Sequence, residues 1–342
     1  MRGKPGSALT SVPWSNRRME AKTKNKQTRQ QITLMTERAF PGLTVSDAED
    51  AIAEMTDGWF NASYSVSLNN GRSVVLKIAP PADAEVMTYE KNMMATEIAM
   101  MRLVTSNPSI PVPEIFFVDT SRTLCDADYF FMEMMPGQNL GRVKEGLPEA
   151  VEASVDHHTG QIIRWINAFE GTFFGFEGNP ALRAESWREA FSKIFDAVLE
   201  DGKRKQVAMD FSHDEIRAVL DRHMETLDEV TKPCLVHWDA WNLNLFIEGD
   251  RVCGIIDFER ALWGDPLMEL QFRRALGESG QRQLVGYGWT DFTVAEERRR
   301  DLYSLYLALV MIVECAYRHY NNDHVRDLGC AMLADTMARL GA

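Results

Sequence analysis

The amino-acid sequence predicts an α+β fold of two closely associated lobes. We expect an antiparallel sheet with one helix in the N-terminal lobe, and a larger, mainly helical C-terminal lobe. The chain has 342 residues, 45% of them hydrophobic, which is enough for a sizeable core. Short strand-like runs dominate residues 31–135, and long amphipathic helical patterns dominate residues 136–342. Pro136 and Gly137 mark the lobe boundary, because both residue types interrupt regular structure.

The first 30 residues form a basic tail that we expect to be disordered. They carry eight Lys or Arg and one acidic residue, so they hold about +7 of a net charge of −13 and leave about −20 on the remainder. An acidic body argues against nucleic-acid binding and would attract cationic substrates, although simple solubility explains it equally well.

Composition also bears on location. The tail lacks the apolar stretch of a secretory signal, and the five cysteines form no C-x-x-C pair and no zinc spacing. The longest uncharged apolar run, residues 302–313, has 12 residues and is too short to span a bilayer. We therefore expect a cytoplasmic protein with reduced thiols and no membrane partner.

The first predicted site element is a turn suited to cover phosphates. Residues 57–66, DGWFNASYSV, lie between two runs that can pair as a hairpin. Gly58 permits close approach of the backbone, and the side chains of Asn61 and Ser63 offer hydrogen-bond donors. A plain hairpin turn explains the same residues, so this signal depends on its context.

A strand is predicted at Ser73–Ile78, after the turn at residues 69–72. Its Lys77 shares a face with Val75, and a lysine on the half-buried side of a strand needs an anionic partner. Nucleotide phosphates would provide one. A solvent-facing lysine on an edge strand is the ordinary alternative.

The next helix is expected at Glu85–Val104, with an apolar stripe made by Met87, Met94, Ile98 and Met101. Glu97 lies on the same face, where an ion pair with Lys77 would offset the cost of burying a carboxylate. Glu90, two turns earlier, is the competing partner for Lys77.

A buried strand and a break follow. After the strand Ile115–Val118, residues 129–137 read YFFMEMMPG. Between the two lobes, backbone groups near Glu133 and Met135 could meet a nucleotide base, with Phe131 and the methionines forming an apolar slot. A plain core strand is the alternative.

The C-terminal lobe carries the chemical signal. Amphipathic helical patterns cover residues 160–169, 187–199, 213–230, 295–320 and 324–340. Between the third and the fourth of them lies the segment HWDAWNLN, in which Asp239 and Asn244 follow His237 with the spacing H-x-D-x-x-x-x-N. A hairpin with its turn at residues 248–251 then leads to Asp257.

Those side chains suit phosphoryl transfer. Asp239 could activate a hydroxyl, while Asn244 and Asp257 provide the oxygen ligands that Mg²⁺ prefers. Each residue alone could be an ordinary turn former. A metallohydrolase built on His237 and Asp239 would need further His or Asp clusters, and a non-catalytic nucleotide-binding module is the other alternative.

The segments HWDAWNLN and IDFERALWGDP resemble the aminoglycoside phosphotransferase family, within the protein-kinase-like small-molecule kinases. That family usually has Gly where this chain has Trp238, and often Leu-His where it has Ala240-Trp241. The segment TEIAMMRLV resembles the family's helix and favours Glu97 over Glu90 as the partner of Lys77. The resemblance also implies that Asp265 orders the catalytic loop; a plain carboxylate at a helix N-terminus is the alternative.

The resemblance implies a protein-kinase-like two-lobe fold and transfer of the γ-phosphate of ATP or GTP, with Mg²⁺, to a hydroxyl of a small molecule. His237 would brace the loop, and Glu259 would assist Mg²⁺, meet a cationic acceptor or face solvent. Aminoglycosides, macrolides, choline or ethanolamine, homoserine and sugars all remain candidate acceptors. The sequence leaves the oligomeric state open.

Overall fold

The computed structural model describes residues 24–56, 58, 60–272, 277–320 and 323–341. Most of the predicted basic tail, residues 1–23, therefore lies outside the described residues, as do Asp57 and Trp59 of the predicted phosphate-covering turn. From Lys24 onward the chain contacts the N-terminal lobe, where the side-chain amide of Asn25 donates to Asp126 at 2.8 Å.

The N-terminal lobe is built on a five-stranded antiparallel sheet in the order β1-β2-β3-β5-β4. Its strands are β1 (Ile52–Met55), β2 (Ala62–Ser67), β3 (Ser73–Ile78), β4 (Ile115–Asp119) and β5 (Tyr129–Glu133). The strand predicted at Ser73–Ile78 is confirmed. A helix that was not predicted, α1 (Arg29–Ala39), begins with a capping box between Thr28 and Gln31.

The helix predicted at Glu85–Val104 is shorter than expected. Helix α2 covers only Met93–Val104. Asn92, just before it, has a left-handed φ of 56°, so the helix cannot extend back to Glu85. Residues 85–92, here called the strap, instead cross to the C-terminal lobe through a short 3₁₀ turn. Met87 and Tyr89 of the strap are buried in the core of that lobe, and this burial overrides the helical pattern of the sequence.

Hydrogen bonds fasten the strap to the C-terminal lobe. The backbone N–H of Thr88 donates to Asp201 at 2.6 Å, and the side-chain amide of Asn179 donates to the Thr88 carbonyl at 2.7 Å. Glu90 accepts a hydrogen bond from Arg318, and both side chains are 1% exposed. The strap is thus a second connection between the lobes, besides the chain crossing near Pro136.

The C-terminal lobe is mainly helical, as predicted. Its helices are α3 (Leu140–Val143), α4 (Glu149–Asn167), α5 (Trp187–Arg204), α6 (His213–His223), α7 (Gly277–Tyr287), α8 (Val294–Arg318) and α9 (His324–Arg339). The pattern at residues 213–230 divides into α6 and a 3₁₀ turn, Met224–Glu229. Helix α7, which was not predicted, packs along α4.

Two small antiparallel sheets, in the orders β10-β9-β6 and β7-β11-β8, position residues 237–244, which the sequence predicts to be catalytic and which we call the catalytic segment or loop. Their strands are β6 (Gln138–Asn139), β7 (Gly175–Phe176), β8 (Cys234–Val236), β9 (Leu245–Glu248), β10 (Arg251–Ile255) and β11 (Leu262–Gly264). The predicted hairpin is confirmed as β9 and β10, and Gly249 in its turn has a φ of 62°. In the described part of the chain, no helix combines the length and apolar character needed to cross a membrane.

Candidate functional site

Lys77 lies at the centre of a cluster of carboxylates in the cleft between the lobes. Its Nζ atom is 2.8 and 2.7 Å from the two carboxylate oxygens of Glu97, on α2. It is also 2.7 Å from Oδ1 of Asp257 and 3.4 Å from Oε2 of Glu259, which both follow β10. Of the two competing glutamates, the structure places Glu97 on Lys77, while Glu90 lies on Arg318.

Burial and charge shift the pKa values of this cluster. Burial raises the pKa of Glu97 to about 7, and burial together with the charge of Asp257 raises that of Glu259 to about 8. For Asp257 the nearby ammonium of Lys77 outweighs burial and lowers the pKa. Three carboxyl groups thus surround one ammonium. With all three ionised the cluster has an excess of negative charge, which a bound cation would relieve.

The predicted phosphate-covering turn reaches the same cluster. The Nδ2 atom of Asn61, 4% exposed, donates to Oε2 of Glu259 at 2.5 Å. Its Oδ1 atom is buried without a hydrogen-bond partner among the described residues. Ser63 lies on β2, directly opposite Lys77 in the strand register. Glu259 is 6% exposed and lies beside Lys77, so of its three alternatives the solvent-facing one does not fit.

The predicted base-binding segment lies at the end of β5. The backbone N–H of Glu133 donates to the carbonyl of Glu114 at 2.8 Å, and Met135 follows two positions later at the lobe crossing. Phe131 does not line a slot there, which corrects our expectation. Its ring packs against Phe40 with centroids 5.3 Å apart, on the face of the sheet opposite Met132, because successive strand residues face opposite sides.

The catalytic segment brings Asp239 and Asn244 together. Nδ2 of Asn244 donates to the backbone carbonyl of Asp239 at 2.9 Å and to its Oδ2 at 3.2 Å. The backbone N–H of Ile256 donates to the carbonyl of Asn244 at 3.0 Å, which holds Asn244 beside the chain that leads into Asp257. Asp257 itself has a left-handed φ of 71°.

The buried ring of His237 supports this segment through hydrogen bonds to its backbone. Its Nε2 lies 3.1 Å from the carbonyl oxygen of Ile256, and its Nδ1 accepts from the backbone N–H of Asp239 at 3.2 Å. Acceptance at Nδ1 requires the neutral ring that donates through Nε2. Burial lowers the pKa of His237 to about 4, which agrees with a neutral imidazole.

Glu269, which the sequence did not single out, holds the catalytic loop. Its two carboxylate oxygens accept from the backbone N–H groups of His237 at 2.7 Å and Trp238 at 2.9 Å. Nδ2 of Asn167, on α4, donates to the same carboxylate at 2.9 Å. Glu269 follows a Gly-Asp-Pro turn without any recognisable spacing to the loop, so only the tertiary structure reveals it.

Asp265 has a different position from the one that the resemblance implied. Its carboxylate caps the 3₁₀ turn Pro266–Met268 through the N–H of Leu267, and accepts from Nε of Arg299 at 2.9 Å and from the hydroxyl of Tyr303 at 2.7 Å. The alternative, a carboxylate at a helix N-terminus, describes these contacts. The direct hydrogen bonds to the loop amides come from Glu269 instead.

Trp238 stands where the resembled family usually has Gly, and its backbone explains that preference. Its φ is 65°, in the left-handed region that favours glycine. The indole is 2% exposed and stacks on Tyr306 with centroids 5.3 Å apart. Tyr89 of the strap packs on its edge at 5.8 Å. Burial of the indole in the core of the C-terminal lobe offsets the unfavourable backbone.

The oxygen atoms of this site fit a magnesium ion. Asn244 uses its Nδ2 for hydrogen bonds, and no described residue donates to its Oδ1. Single carboxylate oxygens of Glu97, Asp257 and Glu259 lie within 4.8 Å of one another. A set made of oxygen donors with surplus negative charge suits a hard divalent cation. Asn244 and Asp257, with Glu259 near Asp257, are the residues that would hold it.

Comparisons with known proteins agree with this geometry. Residues 51–301 match the model of the phosphotransferase enzyme family. Over 90 residues the chain is 33% identical to subtelomeric hrmA-associated cluster proteins from two Aspergillus fumigatus strains, a match that covers 26% of this chain and 17% of theirs. This chain thus matches less than a fifth of the length of those curated relatives.

Solved structures show the same fold. A thermostable mutant of aminoglycoside phosphotransferase APH(4)-Ia, in complex with AMP-PNP and hygromycin B, has a TM-score of 0.65 at 20% identity, covering 91% of this chain and 99% of that chain. The streptomycin–ATP–APH(2")-IIa complex has a TM-score of 0.60 at 16% identity, covering 92% and 99%. The predicted two-lobe, protein-kinase-like fold and the family resemblance are confirmed. The chain belongs to the phosphotransferase enzyme family.

Proposed function

We propose that this protein transfers the γ-phosphate of ATP to a hydroxyl group of a small molecule. One observation carries the proposal: the pair Lys77–Asp257 and the pair Asn244–Asp239 are linked by the backbone hydrogen bond from Ile256 to Asn244, at 3.0 Å. Lys77 contacts Asp257 at 2.7 Å, and Asn244 contacts Asp239 at 3.2 Å. A phosphate-binding cation, two metal ligands and a base are therefore neighbours.

Each residue has a part in the proposed reaction. Lys77, held by Glu97, binds the nucleotide phosphates, and Asn61, just before β2, and Ser63, on β2, lie over them. Glu133 and Met135 meet the base of the nucleotide. Asp239 orients the acceptor hydroxyl and accepts its proton during in-line attack. Mg²⁺ on Asn244 and Asp257 would neutralise charge on the phosphates.

The acceptor is a small hydroxylated compound. An aminoglycoside is one candidate, supported by the fold shared with proteins whose solved complexes contain hygromycin B and streptomycin and by the acidic charge of the chain. A different metabolite is the second candidate, and Arg260 favours it. This guanidinium lies against Trp238, the neighbour of Asp239, where it would oppose a polycation. The enzyme is expected to act in the cytoplasm.

The experiment that tests the proposal is ADP formation by the Asp239→Asn variant, measured with a panel of hydroxylated compounds. We expect turnover to fall by about 100-fold or more, with nucleotide affinity retained, because Asp239 does not contact the nucleotide in the proposed arrangement. Asp250→Asn, in the exposed β9–β10 turn, is the matched control. Near-normal turnover of Asp239→Asn would refute the assignment. Absence of ADP formation by the wild type with every acceptor would favour a non-catalytic nucleotide-binding module.

A further inference from the structure

Arg260 is a half-buried cation beside Trp238 that the proposed phosphoryl transfer does not use. It ends the 3₁₀ turn Phe258–Arg260, which directly follows Asp257. Its guanidinium carbon lies 5.8 Å from the ring centroid of Trp238 and 5.9 Å from that of Tyr89. The side chain thus lies between the catalytic loop and the strap, and 13% of its surface remains accessible.

The hydrogen-bonding capacity of Arg260 is mostly unused. A guanidinium has five N–H donors in a planar fork. Nη2 donates to Oε2 of Glu314 at 3.2 Å, and no other hydrogen bond joins this guanidinium to the described residues. An arginine with unused donors at an accessible edge is suited to bind an oxyanion.

Both basic and acidic side chains surround Arg260. Glu314 is shared with Arg318, at 3.7 Å, and Arg318 in turn contacts Glu90. Two arginines therefore face two glutamates, and the carboxylate of Asp239 adds one further negative charge on the side of the catalytic loop. Burial alone would lower the pKa of Arg260, but Tyr89, Asp239 and Glu314 together raise it above its ordinary value, so the cation persists beside Asp239.

We propose that Arg260 is an acceptor-binding residue that holds a carboxylate of the substrate, so that the acceptor is a hydroxy acid. The inference deepens the proposed function and rests on it. The carboxylate would accept from the unused N–H donors, which places a hydroxyl of the same molecule toward Asp239. An ammonium group at that position would meet the guanidinium and be repelled.

Three six-carbon compounds with one skeleton test the charge preference. Gluconate carries a carboxylate at C1, glucitol a hydroxyl and glucamine an ammonium group. Binding of each is measured by thermal shift and calorimetry with the full chain, in the presence of a non-hydrolysable ATP analogue and Mg²⁺. We expect gluconate to bind at least tenfold more tightly than glucitol, and glucamine to bind most weakly.

Variants of Arg260 separate recognition from folding. Arg260→Gln should bind gluconate at least tenfold more weakly, whereas Arg260→Lys should keep part of the affinity because it retains the charge. In both variants the carboxylate of Glu314 still has two partners. It pairs with Arg318 and accepts a hydrogen bond from the hydroxyl of Tyr320 at 3.3 Å. Arg188→Gln, which removes an arginine that is 44% exposed, is the control. Thermal unfolding without ligand shows whether each variant is folded.

The outcomes are distinct. Preference for glucamine, no binding of gluconate by the wild type, or unchanged gluconate affinity in Arg260→Gln would overturn the role of Arg260. ADP formation with any acceptor is measured in parallel and tests the transfer reaction itself. Selective gluconate binding without ADP formation from any acceptor would count against phosphoryl transfer, while ADP formation without charge preference would count against Arg260 alone.

Discussion

The carboxylate of Glu269 accepts a hydrogen bond from the backbone N–H of His237 at 2.7 Å. Both residues are 0% exposed. The second oxygen of the carboxylate accepts from Trp238 at 2.9 Å, and Asn167 donates to the first at 2.9 Å. Glu269 therefore joins the catalytic loop to helix α4, and the position of Asp239 depends on a residue 30 positions farther along the chain.

Replacement of Glu269 by Ala should weaken both folding and catalysis. The variant leaves two buried amides without an acceptor, so we expect the free energy of unfolding to fall by about 3 kcal/mol. Loss of loop position should lower kcat by about 10- to 100-fold. Denaturant unfolding and ADP formation measure the two effects. Glu278→Ala, whose side chain is 81% exposed, is the control, and equal behaviour of the two variants would contradict this role.

The sequence predicted those parts of the site whose pattern lies within a short continuous stretch of residues. The strand around Lys77 and the hairpin before Asp257 have the period and turn residues of their structures, and both formed as predicted. The roles of Lys77, Glu97, Asp239 and Asp257 were predicted from their order along the chain, together with the family resemblance.

The strap and Glu269 could not be predicted in this way, for two physical reasons. The strap has a helical apolar pattern, but Met87 and Tyr89 are buried in the C-terminal lobe and the left-handed Asn92 separates them from α2. Tertiary burial therefore outweighed local propensity. The hydrogen bond of Glu269 joins groups that are distant in sequence, and no local period encodes such a contact.

The ion pair between Lys77 and Glu97 should show energetic coupling. Lys77→Met leaves buried carboxylates without their cation, so we expect a stability loss of about 3 kcal/mol and a loss of turnover of about 100-fold or more. Adding Glu97→Gln removes one of those carboxylates and should restore about 1 kcal/mol relative to additivity. A double-mutant cycle of unfolding free energies measures this term. Additive losses would show that the two residues act independently.

Stability should depend on pH through His237. Burial lowers its pKa in the folded state to about 4, below the ordinary value of 6.5. Between these two values the unfolded chain binds the proton more readily, so the contribution of His237 to stability is lost as the pH falls from about 6.5 to about 4, by up to about 3 kcal/mol.

Unfolding of His237→Gln across that range isolates the effect of the buried imidazole. The difference in unfolding free energy between wild type and variant should shrink as the pH is lowered. His157→Gln, which removes an exposed histidine of α4, controls for the loss of a histidine as such. A difference that stays constant from pH 4 to 6.5 would show that His237 is not the titrating group.

At position 238 we expect a glycine variant to be more stable than an alanine variant, the reverse of the order expected inside a helix. Either substitution removes a buried indole and should cost about 3–5 kcal/mol. The φ of 65° favours glycine, so Trp238→Gly should be more stable than Trp238→Ala by about 1 kcal/mol. Phe195, buried inside helix α5, is the matched control. There alanine should be the more stable by about 1 kcal/mol, because glycine is a poor helix former. Denaturant unfolding of the four variants decides the matter, since the same order at both positions would show that the left-handed backbone has no energetic weight.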